Sequence, residues 1–188
     1  MILSITQEEQ SLMESELKFE KDLRAGKVGE KMARQYLEQK GLLFVRESTE
    51  RKEMKKWDIE MLFNHKLIQY EIKTDVFIKP ERFIYSEFFK KEMKHPAIET
   101  GNMFVEYHSR GVDSGIVTTT ADVWMYFYYY LNELWIIEVD KLRKLIKDNE
   151  FPRHEDSGDP NSHTMGYLIP RFEYKEHFKI INYQKQII

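Results

Sequence analysis

Asp58, Glu71 and Lys73 fall within one short stretch, "WDIEMLFNHKLIQYEIKTD" (57–75), and have the residue types and spacing to do chemistry together. Two strand-like runs meet at Asn64 and His65, a tight-hairpin signature that sets Phe63 facing Lys66 and brings Asp58 opposite Glu71. Side chains alternate along strands, so Trp57, Ile59, Met61 and Phe63 share an apolar wall with Ile68, Tyr70 and Ile72. The two carboxylates and Lys73 share the other wall. Directly opposed like charges cost up to about 1 kcal/mol when exposed and more when shielded from water. A divalent cation removes that conflict, because neighbouring carboxylates make a hard oxygen site suited to Mg²⁺, with Mn²⁺ as a substitute. Lys73, one pleat from Glu71, then stands beside the metal, where an ammonium holds a water or neutralises developing charge. Two carboxylates, a metal and a lysine are a phosphodiester-cleaving arrangement. A solvent-facing strand that carries Glu-x-Lys by chance is the plain alternative.

The elements that must position these groups are readable in outline. Thr6 and Glu9 form a capping-box signature, which predicts a helix over about 4–24. Gly26 and Gly29 punctuate it, and a second helix, "GEKMARQYLEQKG", ends at Gly41. Its apolar face is Val28, Met32, Ala33, Tyr36 and Leu37, with Glu30 at the edge. "LLFVRES" reads as a first strand leading to the hairpin. "NMFVEYHS" is a later strand, with Met103, Val105 and Tyr107 on one side and Phe104, Glu106 and His108 on the other. A helical turn is expected at Thr120 to Asp122. "VWMYFYYYL" and "LWIIEV" form another hairpin around "NE", Asp140 caps a short helix, and "PRHEDSGDPNSHTMG" reads as loop before a short strand, "YLIP". The expected class is α/β (α+β), a mixed central sheet flanked by helices in a single domain over 1–188. An aromatic and basic insertion at about 76–98 interrupts it, as a lid or binding loop would.

Secondary candidates surround the hairpin. Glu106 reads as a further ligand or water holder, or as an ordinary exposed glutamate. Ser109 and Arg110 lie in a glycine-containing turn able to grip a phosphate, or in a simple structural turn. Thr118 and its neighbours Thr119 and Thr120 are placed to cap a turn or to donate to DNA phosphates, and capping is the preferred reading. Lys90 and Lys91 sit among the insertion's aromatics, where they would clamp DNA or build a dimer interface.

Composition bounds the rest. The chain has 188 residues, 41% hydrophobic and 32% charged, a formal net charge of -3 and no cysteine. That describes a globular chain without disulfides or thiolate metal sites, expected to be intracellular and cytoplasmic. No secretory signal or membrane span is read, and no nucleotide cofactor is expected, because no glycine-rich phosphate loop is present. The acidic balance is not that of a typical nucleic-acid binder, although "RESTERKEMKK" and "KKEMKH" hold local excesses of Lys and Arg.

On Glu30 in "GEKMA", Asp58 in "KWDIEM" and Glu71 with Lys73 in "YEIKTD", the sequence resembles the PD-(D/E)xK nuclease superfamily. This is the restriction-endonuclease-like fold that Holliday-junction resolvases and phage-encoded nucleases share. The stretch "TGNMFVEYHSRGVDSGIVTTTADVWMY" is similar to the second half of phage and bacterial members. Trp57 stands where the family's nominal proline precedes the aspartate, and the 76–98 insertion has no counterpart in those members. The resemblance implies a DNA endonuclease whose Mg²⁺ is held by Asp58, Glu71 and the Ile72 carbonyl. It further implies that Lys73 activates water, that Glu30 holds a metal-bound water or second ion, and that cleavage leaves a 5′-phosphate. Branched DNA in recombination, repair or phage DNA processing is the implied substrate, and cutting both strands implies a homodimer. A DNA-binding or assembly protein on a nuclease-derived fold that no longer cleaves is the alternative, and an RNA-directed nuclease is a third reading.

Overall fold

The computed structural model describes residues 24–50, 52–53, 56–75, 82–86, 91–95, 101–129, 131–156 and 163–183. The helix expected over 4–24 lies outside these residues except for Arg24. Helix α1 spans 24–39 without interruption, so Gly26 and Gly29 do not end a helix. At Gly29 the reason for glycine is packing: a Cβ there would stand 2.0 Å from Thr74 Oγ1. Gly41, at φ 84°, does terminate the helix, with Leu42 N donating to Leu37 O and Gly41 N to Glu38 O.

Strands β1 (Leu43–Glu47), β2 (Ile59–Phe63) and β3 (Lys66–Asp75) form an antiparallel meander. The β2–β3 register is the expected one, from Phe63↔Lys66 to Ile59↔Tyr70. Asn64 and His65 both adopt positive φ, 48° and 64°, as a twist-matched two-residue hairpin turn requires. Strand β3 then pairs in parallel with β8 (Val123–Tyr128), which hairpins with β9 (Glu133–Glu138). The connecting loop is 129–132, not "NE": Asn132 takes positive φ and Glu133 already pairs with Tyr128. The C-terminal β12 (Lys179–Asn182), unread in the sequence, closes the order β1-β2-β3-β8-β9-β12.

The long connection from β3 to β8 carries the hairpin β4 (Arg82–Ser86) and β5 (Lys91–His95) inside the expected insertion. It also carries β6 (Asn102–Ser109) and β7 (Val112–Asp113). A second sheet, not anticipated, has the order β10-β11-β6-β7: β10 (Arg153–Asp156) comes from the tract read as loop, and β11 (Thr164–Pro170) is the expected strand "YLIP" begun three residues earlier. The turn expected at Thr120 to Asp122 is instead a 3₁₀ turn at Gly115–Val117. Helix α2 (Val139–Asp148) begins two residues earlier than expected, with Glu138 as N-cap and Asp140 in its first turn.

The fold is therefore α+β, with a mixed six-stranded central sheet covered on both faces. On one face Ala33, Tyr36 and Leu37 of α1 pack with Ile59, Met61, Tyr70, Ile72, Met125 and Phe127. On the other, Trp124, Tyr126 and Tyr128 meet Met103, Val105 and Ile169 of the second sheet and Leu142 and Leu145 of α2. Among the described residues no helix is long and apolar enough to cross a membrane.

Candidate metal-binding and catalytic site

Because β3 and β8 are parallel and in register, Glu71 lies beside Trp124, Lys73 beside Tyr126 and Asp75 beside Tyr128. The charged side of β3 thus faces the layer between the two sheets, where water is scarce. Glu71 is buried, with 5% of its side chain exposed, and its Oε1 is 2.6 Å from Lys73 Nζ. The Lys73 side chain is 34% exposed, so it runs from a buried carboxylate to solvent. Its Nζ also stands 5.7 Å from the centre of the Trp124 ring. Burial works against the Lys73 charge, but Glu71, Asp58 and Glu106 outweigh it and raise the pKa above the ordinary lysine value.

Asp58 departs from the expected placement. It precedes β2 rather than pairing squarely across from Glu71: its N–H donates to Tyr70 O, and its carbonyl accepts from Ser48 N. Its Oδ2 accepts from Ile72 N at 2.6 Å. This irregularity also breaks the alternation, so Trp57 packs in the cluster around Trp124 and not with Ile59 and Met61. The conflict between carboxylates nevertheless exists. Burial first, and the charge of Glu71 second, push the Asp58 carboxyl up to about 7. Glu30 adds to this shift from α1, where Lys27 Nζ pairs with it at 2.7 Å.

The secondary candidates divide. Glu106 comes within electrostatic reach of Lys73. The Ser114–Ile116 turn folds over the Glu106 backbone so closely that a Cβ on Gly115 would lie 2.3 Å from Glu106 O. Ser109 Oγ instead bonds Thr164 Oγ1 across the second sheet at 2.9 Å, a structural tie. Arg110 sits at positive φ in the β6–β7 turn beside Gly111. Thr118 is the C-cap of the 3₁₀ turn, its hydroxyl 3.5 Å from Gly115 O. Lys90 lies outside the described residues; Lys91 begins β5, and its side chain is not described.

Three positioning residues had weak sequence signals. Thr119, buried, donates to Lys56 O at 2.6 Å, accepts from Ala121 N, and sits 3.4 Å from Glu71 Oε2. Its place in a threonine triplet could have marked it. Thr119→Val is expected to cost about 1–3 kcal/mol by leaving these partners unpaired, while Thr119→Ser recovers most of it; urea denaturation reads both. Glu60, also buried, is held by Arg46 Nε at 3.3 Å and Gln69 Nε2 at 3.0 Å, and Arg46 reaches on to Glu53. Tyr126 joins the sheets: its OH accepts from Phe104 N at 3.3 Å and lies 3.5 Å from Asp75 Oδ2. Burial, then Asp75, raise its phenol well above the usual range, so it stays protonated.

The chemistry of the donor set can be tested against a metal. Among the described residues no three His, Asp or Glu side chains form a ready-made cage. A half-buried and a buried carboxylate that repel each other, the first with one oxygen engaged by the Ile72 N–H, fit a magnesium ion that keeps most of its waters. Comparison with protein-family models, curated proteins and solved structures gives no match.

Proposed function

We propose that this chain is a Mg²⁺-dependent DNA endonuclease of the PD-(D/E)xK type. The observation that carries the reading is the half-buried Asp58 beside the buried Glu71, with Lys73 bonded to Glu71 and leading to solvent. Asp58, Glu71 and the Ile72 carbonyl would hold the ion, with Mn²⁺ as substitute. The bound ion would supply Lewis acidity toward a phosphate oxygen. Lys73 keeps its proton, so it orients a water by donation and offsets charge gathering on the phosphate. Glu106, within electrostatic reach of Lys73, and Glu30, within reach of Asp58, would accept from that water. Branched DNA, in recombination, repair or phage DNA processing, is the proposed substrate, and a homodimer would supply the second site for a two-strand cut.

One observation favours the alternative, a DNA-binding or assembly protein that does not cleave: the 2.6 Å Lys73–Glu71 ion pair compensates Glu71 without a metal. Labelled duplex, single-stranded, flap and four-way-junction DNA incubated with Mg²⁺, Mn²⁺ or EDTA separates the two. The nuclease cuts with either metal and stops in EDTA. Binding without cutting under both metals leaves the scaffold reading.

A further inference from the structure

A cleft of about 620 Å³ opens between the 3₁₀ turn, α2 and the β10–β11 hairpin. Its apolar lining includes Val117, Phe151 and Tyr167, and Lys147 and Arg153 stand around it with Glu150 as the single acid. Among the described residues, Lys147 and Arg153 have no carboxylate partner, whereas Lys141, Arg143 and Lys144 of α2 each do. Arg153 lies over the Tyr107–Tyr167 ring pair, 6.0 Å from the Tyr167 centre, and those rings are 4.8 Å apart. An unpaired guanidinium over tyrosine rings, a second unpaired cation in Lys147 and the apolar Phe151 in the same lining offer what a nucleotide needs, charge for its phosphate and a flat surface for its base.

The cleft and the carboxylate site share a wall. Ile116 and Val117 line the cleft, and the same strap continues to Thr119 beside Glu71. Arg143 fixes this strap by donating to Ile116 O at 3.2 and 3.1 Å and to Thr119 O at 2.7 Å. Its guanidinium is thus committed to the backbone, and the cations left to meet a ligand are Lys147 and Arg153.

Resting on the nuclease reading, we infer that this cleft is a second subsite that takes an unpaired nucleotide of single-stranded DNA next to the strand being cut. A base inside a duplex has both faces stacked and cannot enter, so the cleft selects a displaced or frayed strand over a blunt duplex.

The test is fluorescence anisotropy in EDTA with a labelled single-stranded oligonucleotide and a blunt duplex of equal length. It compares wild type with Lys147→Glu/Arg153→Glu and with Phe151→Ala, and thermal melts verify folding. Wild type is expected to bind the single strand more tightly than the duplex. Charge reversal should weaken single-strand binding by about tenfold or more and flatten its salt dependence by roughly 0.7 per lost phosphate contact. Phe151→Ala should weaken it without changing that slope.

Cleavage with Mg²⁺ is scored in parallel. Cutting with single-strand affinity untouched by the reversal overturns the subsite and leaves the nuclease. Reversal-sensitive binding with no cutting keeps the subsite and removes the nuclease. Preference for duplex, or no binding of single strands, overturns the subsite.

Discussion

On the proposed nuclease reading, Asp58→Asn and Lys73→Met are each expected to lower Mg²⁺-dependent cleavage by about a thousandfold or more, on the order of 4 kcal/mol in the barrier, with the fold retained. The asparagine keeps an oxygen for Ile72 N, the 2.6 Å contact that anchors the start of β2. It removes the negative charge that would hold the ion. The methionine keeps the length of Lys73 and its packing over Trp124 while removing the ammonium 2.6 Å from Glu71. Single-turnover cleavage of the best substrate, with circular dichroism melts alongside, reads both effects. Cutting within tenfold of wild type in Lys73→Met would falsify the water-holding role. The same result in Asp58→Asn would move the metal away from this pair.

The second large effect is on stability and is read without any substrate. In EDTA, Asp58 has a folded-state pKa of about 7 against an ordinary 3.8, set by burial and then by Glu71. Between these values the native protein holds a proton that the unfolded chain has released. The acid's stabilising contribution is therefore complete below about pH 4 and is lost as pH rises through about 7. At about 1.4 kcal/mol per unit the loss is roughly 2–4 kcal/mol. The difference in unfolding free energy between wild type and Asp58→Asn, taken at each pH, isolates it from the other carboxylates. That difference should shift steadily toward the variant across the window and stay flat above it. Mg²⁺ should restore wild type above pH 7, by an amount that grows with its concentration, and leave Asp58→Asn unmoved. Parallel stability curves in EDTA would show that the Asp58 carboxyl is not under strain.

The local half of the architecture was legible because its signals are local. The Asn64-His65 turn fixes a two-residue loop, and alternation from Ile59 to Ile72 then sets the ladder. What escaped was set by distant partners. "RHED" is polar throughout and reads as loop, yet it becomes β10 because β11 offers it an edge, and β11 in turn pairs with β6 far back in the chain. Gly29 looked like a helix stop and is a contact with Thr74. The placement of Asp58 was missed by one residue for a related reason. Pairing arithmetic assumes that the strand continues, whereas Asp58 N leaves the ladder to reach Tyr70 O. Glu71 and Lys73 lie inside β3, where alternation holds, and their side was read correctly. Nothing local told that the side faces a second sheet, or that the polar residue beneath it would be Thr119.

The charged connection between β1 and β2 is fastened at both ends. Ser48 N bonds Asp58 O where it begins, and Lys56 O accepts from both Thr119 Oγ1 and Thr120 N where it ends. Asp58 is thus held by these stitches and by Glu53 O, which accepts from Lys56 N and Trp57 N just before it. Lengthening a closed loop is cheap, about 0.6 kcal/mol for each doubling. The exposed Thr49, ahead of the Glu53 contacts, is therefore a graft point: the chain can carry a tag or a recognition peptide there while the carboxylate keeps its station.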